Sequence, residues 1–269
     1  MLQFPCESDK LPTGHLFWYS RLMVRISAAI ICFNEEPNIR ECLKSVSWCD
    51  EIVVVDSGST DRTVEIAREF TDRVHHRPWP GYVEQVRFAM EQTTGEWIFC
   101  LDADERCTSE LREELLREIP NAASLAGFEV PRHVEYLGRW IRHGGWYPDW
   151  KLRIVRRGHA RCEGREPHYG LKPEGPTRRL RAVLDHRPYR NFREQLAKVN
   201  DFSDIFRDRW RKEHRRFSLP LALAHPLVKF FECYVWKLGF LDGWPGFAIA
   251  TTSAFYVFAK YVKLREPGP

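Results

Sequence analysis

The chain has 269 residues, 43% of them hydrophobic, enough to bury one substantial core or one core with a smaller appendage. Its net charge of +4 is mild as a total, but Arg178, Arg179 and Arg181, then Arg207 to Arg216, crowd positive charge into the last third; nucleic acid, an acidic membrane surface and a plain solvated helix face all answer to that asymmetry. Eight cysteines without a C-x-x-C pair speak against a zinc site and for a reducing cytoplasm, and no basic stretch followed by an apolar stretch and a small-residue cleavage site suggests a secretory signal.

Residues 1–22 lack periodicity and read as a disordered extension, with Met23 an alternative start just before the first strand. Arg25 to Phe33 is an apolar β-type run ending at Asn34-Glu35-Glu36, and Pro37 stands where a first helical turn accepts it. Ile39, Cys42, Leu43 and Val46 keep a helical period, after which Ile52 to Val55 forms a second strand without alternation. Such strands, flanked by helices, belong to parallel sheets covered on both faces. The second strand empties into Asp56-Ser57-Gly58-Ser59-Thr60-Asp61, followed by an amphipathic stretch from Thr63 to Phe70. A short strand at 73–76 and a helix at 82–91 lead to the run Gly95 to Leu101, which ends in Asp102-Ala103-Asp104-Glu105. Four βα units therefore deliver Asn34, Asp56 and Asp102 to one sheet edge, where open α/β sheets bind ligands. If the chain turns after position 102, Asp102 and Asp104 can reach one divalent ion with hard oxygen ligands. The alternative is a solvated loop before a helix, since Thr108 to Leu116 reads helical. Neither G-x-G-x-x-G after the first strand nor G-x-x-x-x-G-K-[ST] occurs.

Taken together and in order, I-I-C-F-N-E-E, V-V-V-D-S-G-S-T-D and L-D-A-D-E resemble the family 2 glycosyltransferases of the GT-A fold, inverting enzymes that use nucleotide-diphosphate sugars. W-C-D-E-I-V-V-V-D-S-G-S-T-D, L-D-A-D-E-R and G-G-W-Y-P-D resemble the lipopolysaccharide-core β-glucosyltransferase branch, from about Ile26 to about Arg193. The resemblance implies an α/β, Rossmann-like GT-A domain and a hexose, glucose by expectation, moved from a UDP-sugar to a lipopolysaccharide core or other lipid-linked glycan. It places Asp56 on the uracil ring, Asn34 and Glu35 in the nucleotide pocket with Ser57 and Ala103 beside them, Asp102 at the ribose or a metal-bound water, and Asp104 on Mg2+ or Mn2+.

Beyond Glu105, strands are expected at Gly127–Val130 and Leu152–Val155, with a hairpin from His133 to Ile141 around Leu137-Gly138. Trp146 and Trp150 suit either a sugar face or the core. Inversion needs a carboxylate base, and Glu166 is the first choice with Asp149 the second. The resembling family commonly has an acid where this chain has Tyr169, so a catalytically silent, nucleotide-sugar-binding member stays as the alternative. His168 is a weaker base candidate.

Asn191 to Phe217 reads as one amphipathic helix with Phe192, Leu196, Val199, Phe202, Phe206 and Trp210 on one side. Leu219 to Leu241 continues helically, and Gly243-Trp244-Pro245-Gly246 is expected to break it, leaving the charge-free run to Ala259 short of the roughly 20 residues that span a bilayer. The expected layout is an extension at 1–22, a glycosyltransferase domain at 23–190 and a helical region at 191–269 that meets the membrane or the acceptor. The enzyme is expected at the cytoplasmic face of the membrane, as a peripheral protein, with no nucleic acid partner.

Overall fold

Strand β1 (Ile26–Cys32) buries all seven of its residues, because both of its faces are covered. The computed structural model describes residues 24–165 and 168–266, and the expected extension at 1–22 lies outside them. Ala28, Ile30 and Cys32 face Ile39, Cys42 and Leu43 of helix α1 (Glu36–Ser45) and Ile66 of α2 (Thr63–Ala67). Ala29 and Ile31 face Val86 and Ala89 of α3 (Tyr82–Gln92) on the other side. With β2 (Glu51–Asp56), β3 (Val74–His76) and β4 (Trp97–Asp102), this makes a parallel sheet in the order β3-β2-β1-β4. The unalternating apolar runs are thus the two-sided strands of an α/β layer structure.

After Asp102 the chain turns through two residues into β5 (Glu105–Cys107) and then α4 (Ser109–Glu118), whose cap is the Thr108 hydroxyl accepting from the Leu111 amide at 3.1 Å. The sheet itself continues past β4 with strands from later in the chain. These are β6 (Gly127–Tyr136), its short hairpin partner β7 (Arg139–Trp140), and β8 (Asp149–Arg156). A separate two-stranded ribbon, β9 (Ala160–Arg165) with β10 (His168–Pro173), packs Cys162, Tyr169 and Leu171 against the α3 face. Next come β11 (Thr177–Arg179), paired to β6, and β12 (Leu184–His186). The full order is β3-β2-β1-β4-β8-β6-β12-β5, so the sheet curls until β5 lies at the far end from where its chain neighbour β4 would place it. The α/β class, the four leading units and the hairpin at Leu137-Gly138, both with positive φ, are as expected.

Helices α5 (Phe192–Lys212), α6 (Leu219–Phe231) and α7 (Gly243–Lys263) form the C-terminal part, with a π-helical turn at Glu232–Trp236 and a 3-10 turn at Gly239–Asp242 between the last two. One expectation is corrected here. The Gly243-Trp244-Pro245-Gly246 segment opens α7 rather than shortening it: Gly243 takes a positive φ of 64° and Pro245 falls in the first turn, where its missing N–H costs nothing. The helix is therefore 21 residues long, yet no helix among the described residues is long and apolar enough to cross a membrane. In α5 the apolar stripe is buried toward its end and not at its start: Trp210 is buried and Val199, Phe202 and Phe206 are half-buried, whereas Phe192 and Leu196 are exposed and the polar Gln195 and Ser203 are buried. The cause is a polar contact: the Tyr136 hydroxyl donates to Gln195 Oε1, and Gln195 Nε2 donates to Thr252 Oγ1 of α7 at 2.9 Å. The seven described cysteines are all unpaired.

Where β1 meets the start of β4, Gly95 allows contact that no side chain permits, since a Cβ there would lie 2.6 Å from Ser27 Oγ and 2.8 Å from the Arg25 carbonyl. Gly95→Ala is expected to destabilise the protein by about 1–3 kcal/mol as an overpacking substitution, read as a lower urea midpoint with an unchanged m-value.

Candidate functional site

The loops after β1 and β2 are tied to one another. The Asn34 amide donates to Ser59 Oγ at 2.8 Å and the Thr60 amide to Asn34 Oδ1 at 2.8 Å, while the Glu35 amide donates to Thr63 Oγ1 at 2.8 Å. Asp56 is buried, and its carboxylate accepts from the Gly58 amide at 2.9 Å, the Ser59 amide at 3.0 Å and the Ser59 hydroxyl at 2.5 Å. Gly58 meets the φ of 98° that this turn requires. Ser57 accepts from Gln85 Nε2 at 3.0 Å, which fixes the loop to α3.

Asp102 and Asp104 stand on the turn between β4 and β5 but point to different partners. Asp102 Oδ2 accepts from Arg153 Nη2 at 2.5 Å, and its Oδ1 accepts from the Tyr169 hydroxyl at 2.5 Å. Arg153, 4% exposed, also donates to Glu105 Oε1 at 2.5 Å and to the Tyr169 hydroxyl at 3.0 Å. Glu105 is fully buried and receives Arg132 Nη1 at 3.1 Å and the Asp102 amide at 3.1 Å. Arg132 in turn holds Asp149, at 2.5 Å, and Lys151 holds the same carboxylate at 3.0 Å. Burial alone would raise the Asp102 and Asp149 carboxyls, but Arg153 beside the one and Arg132 beside the other hold both below the usual carboxylate range. Ala103 between the aspartates is buried in the core.

Asp104 faces the other way, toward His186 Nε2 at 3.5 Å and Lys198 Nζ at 3.8 Å. Burial would raise it, yet His186 and then Lys198 outweigh burial and leave it ionised well below the usual range. Glu35 shows the opposite balance: burial, then the charge of Asp104, push it up to about 7. A cleft of about 250 Å3 opens beside them, lined by Phe33, Asn34 and Glu35 on the sheet side and, opposite, by Arg187 and Arg190 of the segment before α5 and Lys198 of α5 itself. A larger hollow of about 450 Å3 lies around Arg25, Asp50 and Arg73 at the amino ends of the strands, the edge that open α/β sheets do not use for ligands.

Among the described residues no group of three or more His, Cys, Asp or Glu converges in an arrangement that could hold a metal by itself. Mg2+ and its relatives, however, need only one or two carboxylates when a substrate phosphate supplies further oxygens. Asp104, ionised, with the Glu35 carboxyl near enough to feel its charge, fits that donor set. Asp102 does not fit as a direct ligand in this arrangement, because both of its oxygens are engaged by Arg153 and Tyr169.

Of the base candidates, Glu166 lies outside the described residues, and Asp149 is committed to Arg132 and Lys151. Tyr169 is pinned between Asp102 and Arg153 and stacks on Tyr82 at 5.5 Å, and burial keeps its hydroxyl protonated. Trp146 packs against Tyr136 and Tyr189, and Trp150 carries the Arg179 guanidinium 4.7 Å over its ring. Sequence reasoning missed Arg153, Glu105, Arg132, His186 and Lys198. The visible signal for the first was an arginine alone in the apolar strand Leu152-Arg153-Ile154-Val155; nothing local marks Lys198.

Arg153→Ala leaves Asp102 without its cation and Glu105 with Arg132 alone, and a loss of about 3–5 kcal/mol of stability is expected by chemical denaturation. Glu35 binds its proton more tightly folded than unfolded, so its contribution to stability is complete below 4.5 and is lost as pH rises through about 7. Glu35→Gln should therefore melt with wild type in acid and above it at mildly alkaline pH; equal melting temperatures throughout would show that the carboxyl is not perturbed.

The model of the family described as glycosyl transferase family 2 matches residues 27–171. The lipopolysaccharide core biosynthesis glycosyltransferase LpsC of Rhizobium meliloti (strain 1021) is 33% identical over 253 residues, covering 90% of this chain and 92% of that protein. An uncharacterized glycosyltransferase of Rickettsia typhi is 43% identical over 259 residues, covering 91% and 88%. Among solved structures, S. aureus TarS 1-349 in complex with UDP-GlcNAc is similar with a TM-score of 0.46 at 16% identity, over 68% of this chain and 64% of that one. Glucosyl-3-phosphoglycerate synthase from Mycobacterium tuberculosis with Mn2+, UDP-Glc and phosphoglyceric acid has a TM-score of 0.37 at 23% identity, over 47% of this chain and 50% of that one.

Proposed function

Because the chain belongs to glycosyl transferase family 2, a family of glycosyltransferases, we propose that it moves glucose from UDP-glucose, with inversion, to a lipopolysaccharide core or another lipid-linked glycan, working peripherally at the cytoplasmic face of the membrane. The observation that carries the reading is the cleft beyond the carboxyl end of β1, lined by Glu35 and Lys198, with ionised Asp104 next to it: Lys198 Nζ lies 3.8 Å from its carboxylate, and its charge acts on Glu35. The relative named for lipopolysaccharide core biosynthesis, alike over nearly the whole chain, supports the acceptor class.

In this reading the loops held by Asn34 and Asp56 form the nucleotide wall, with Ser57 locked to α3 behind them. Asp104, with Glu35 beside it, would hold Mg2+ or Mn2+, which when bound neutralises charge growing on the departing diphosphate. Lys198 lines the opposite wall and adds positive charge toward the same leaving group without proton exchange, while Arg190 beside it is paired with Glu194. Asp102 is a positioning residue: tied to Arg153 and Tyr169, it fixes the start of the turn that carries Asp104. The acceptor hydroxyl loses its proton to Glu166, since Asp149 is neutralised by Arg132 and Lys151 and is held too acidic to be the better base.

A donor screen of UDP-, GDP- and dTDP-sugars, with Mn2+ and with EDTA, tests this directly. Turnover of UDP-glucose that EDTA abolishes is expected. Asp104→Asn and Lys198→Ala should each lower kcat by about 100-fold, the scale of losing one electrostatic stabiliser. Glu166→Gln should remove turnover while UDP still binds by calorimetry. Wild-type protein that binds no nucleotide sugar and turns none over would overturn the proposal.

A further inference from the structure

Helix α6 has the sequence of a buried helix and the surroundings of a surface one. Its thirteen residues hold one charged side chain, Lys229, yet only Ala222 is buried. Leu219, Leu223 and Leu227 are 59%, 56% and 62% exposed, and Phe231 is half exposed. Past α6 the chain rounds an apex in which Trp236 and Trp244 are the most exposed large apolar residues of the described chain, at 67% and 70%. A helix apolar around most of its circumference is covered by something.

The charges in this region are already neutralised internally. Between Leu219 and Ala259 the charged residues are Lys229, Glu232, Lys237 and Asp242. Glu232 pairs with Lys229 at 3.0 Å and Lys237 at 2.5 Å, and buried Asp242 accepts from the His143 amide at 2.8 Å. Unneutralised charge gathers instead just ahead of α6, where Lys212 to Arg216 are all exposed and neither Lys212 nor Arg216 enters an ion pair among the described residues. A paired, aromatic-rich surface with free cations at its margin complements an apolar layer edged by anions.

We infer that α6 and the apex between α6 and α7 form a docking surface that lies in the headgroup boundary of an anionic lipid leaflet, and that this surface is tied to the loop carrying Asp149. The tie is visible. Arg142 and His143 amides bond to Asp242, the Gly144 amide donates to the Lys237 carbonyl at 2.8 Å, and Ile141 and Trp146 share a small core with Ala248 and Ile249 of α7. From Gly144 the chain runs five residues to Asp149, which Arg132 connects to Glu105, the carboxylate that Arg153 also holds. A lipid-borne sugar held by the leaflet would thus meet the cleft from a fixed side. The docking surface deepens the acceptor part of the proposed function and rests on that reading only for what the lipid carries.

Flotation of the full chain with phosphatidylcholine vesicles, with and without phosphatidylglycerol, tests the inference, alongside light scattering and a UDP titration. Wild type should float with the anionic vesicles, less so in high salt. Trp236→Ser with Trp244→Ser should cut partitioning by about tenfold or more, and Lys212→Gln with Arg216→Gln by about fivefold per cation, removing the preference for phosphatidylglycerol. UDP affinity should stay unchanged in both variants, which also reports their folding. Vesicle binding equal in wild type and the tryptophan variant would overturn the inference. So would a dimer in solution that the tryptophan variant dissociates and that ignores vesicles, which would assign the surface to a second copy of this chain. Lipid binding without any UDP binding would leave the docking surface standing and sink the transferase reading.

Discussion

The arrangement of this protein depends on one buried cation. Arg153 rises from the middle of an apolar strand and is sealed from solvent, with Nη2 donating to Asp102 and Glu105 as its counter-charges and Nη1 donating to the Tyr169 hydroxyl, while its Nε has no hydrogen-bond partner among the described residues. A buried guanidinium loses several kcal/mol of hydration, and only dense, well-directed partners offset that loss. The surrounding set is balanced: Asp102, Glu105 and Asp149 against Arg153, Arg132 and Lys151. Because β8 supplies the arginine and β4 and β5 supply the acids, the network stitches the parallel half of the sheet to the mixed half at the place where the sheet curls. It also gives the two aspartates of the turn different partners, Asp102 bound into the network and Asp104 left to His186 and Lys198.

Much of the first half was legible from the residues. Unalternating Val and Ile runs with helices between them demand a sheet covered on both faces, and Asp56-Ser57-Gly58-Ser59 announces a turn whose acid caps its own backbone. What could not be read was which carboxylate meets which cation. Asp102 and Arg153 are 51 positions apart, and their contact follows from strand order, which periodicity does not encode. For the same reason the D-x-D spacing alone offered both aspartates to one ion, whereas the fold gives Asp102 and Asp104 different partners. Lys198 reaches Asp104 from a helix that sequence patterning marked only as amphipathic.

The C-terminal helices were legible as helices and misleading in their faces. In α5 the apolar stripe ends in buried Trp210, but at the helix start the buried place goes to Gln195, paired with Tyr136 and Thr252, and Phe192 and Leu196 lie outside. A buried amide with all its partners present can outweigh two apolar side chains left in water, because the unpaired alternative is so costly. At Gly243-Trp244-Pro245-Gly246 the residues that end one helix are those that start the next, a distinction composition does not make.

The turn from 102 to 105 has no slack. Asp102 closes one strand, Glu105 opens another, and each side chain is fastened to the same guanidinium, so the two residues between them are held from both ends. At the Leu137-Gly138 hairpin, by contrast, a Cβ added to Gly138 would meet open space. Lengthening the first turn by one residue would tear a carboxylate from its counter-ion, whereas the hairpin could grow freely. Divergence among descendants of this chain is thereby channelled: new loops can be grafted at the hairpin, while the length of the aspartate turn is inherited unaltered.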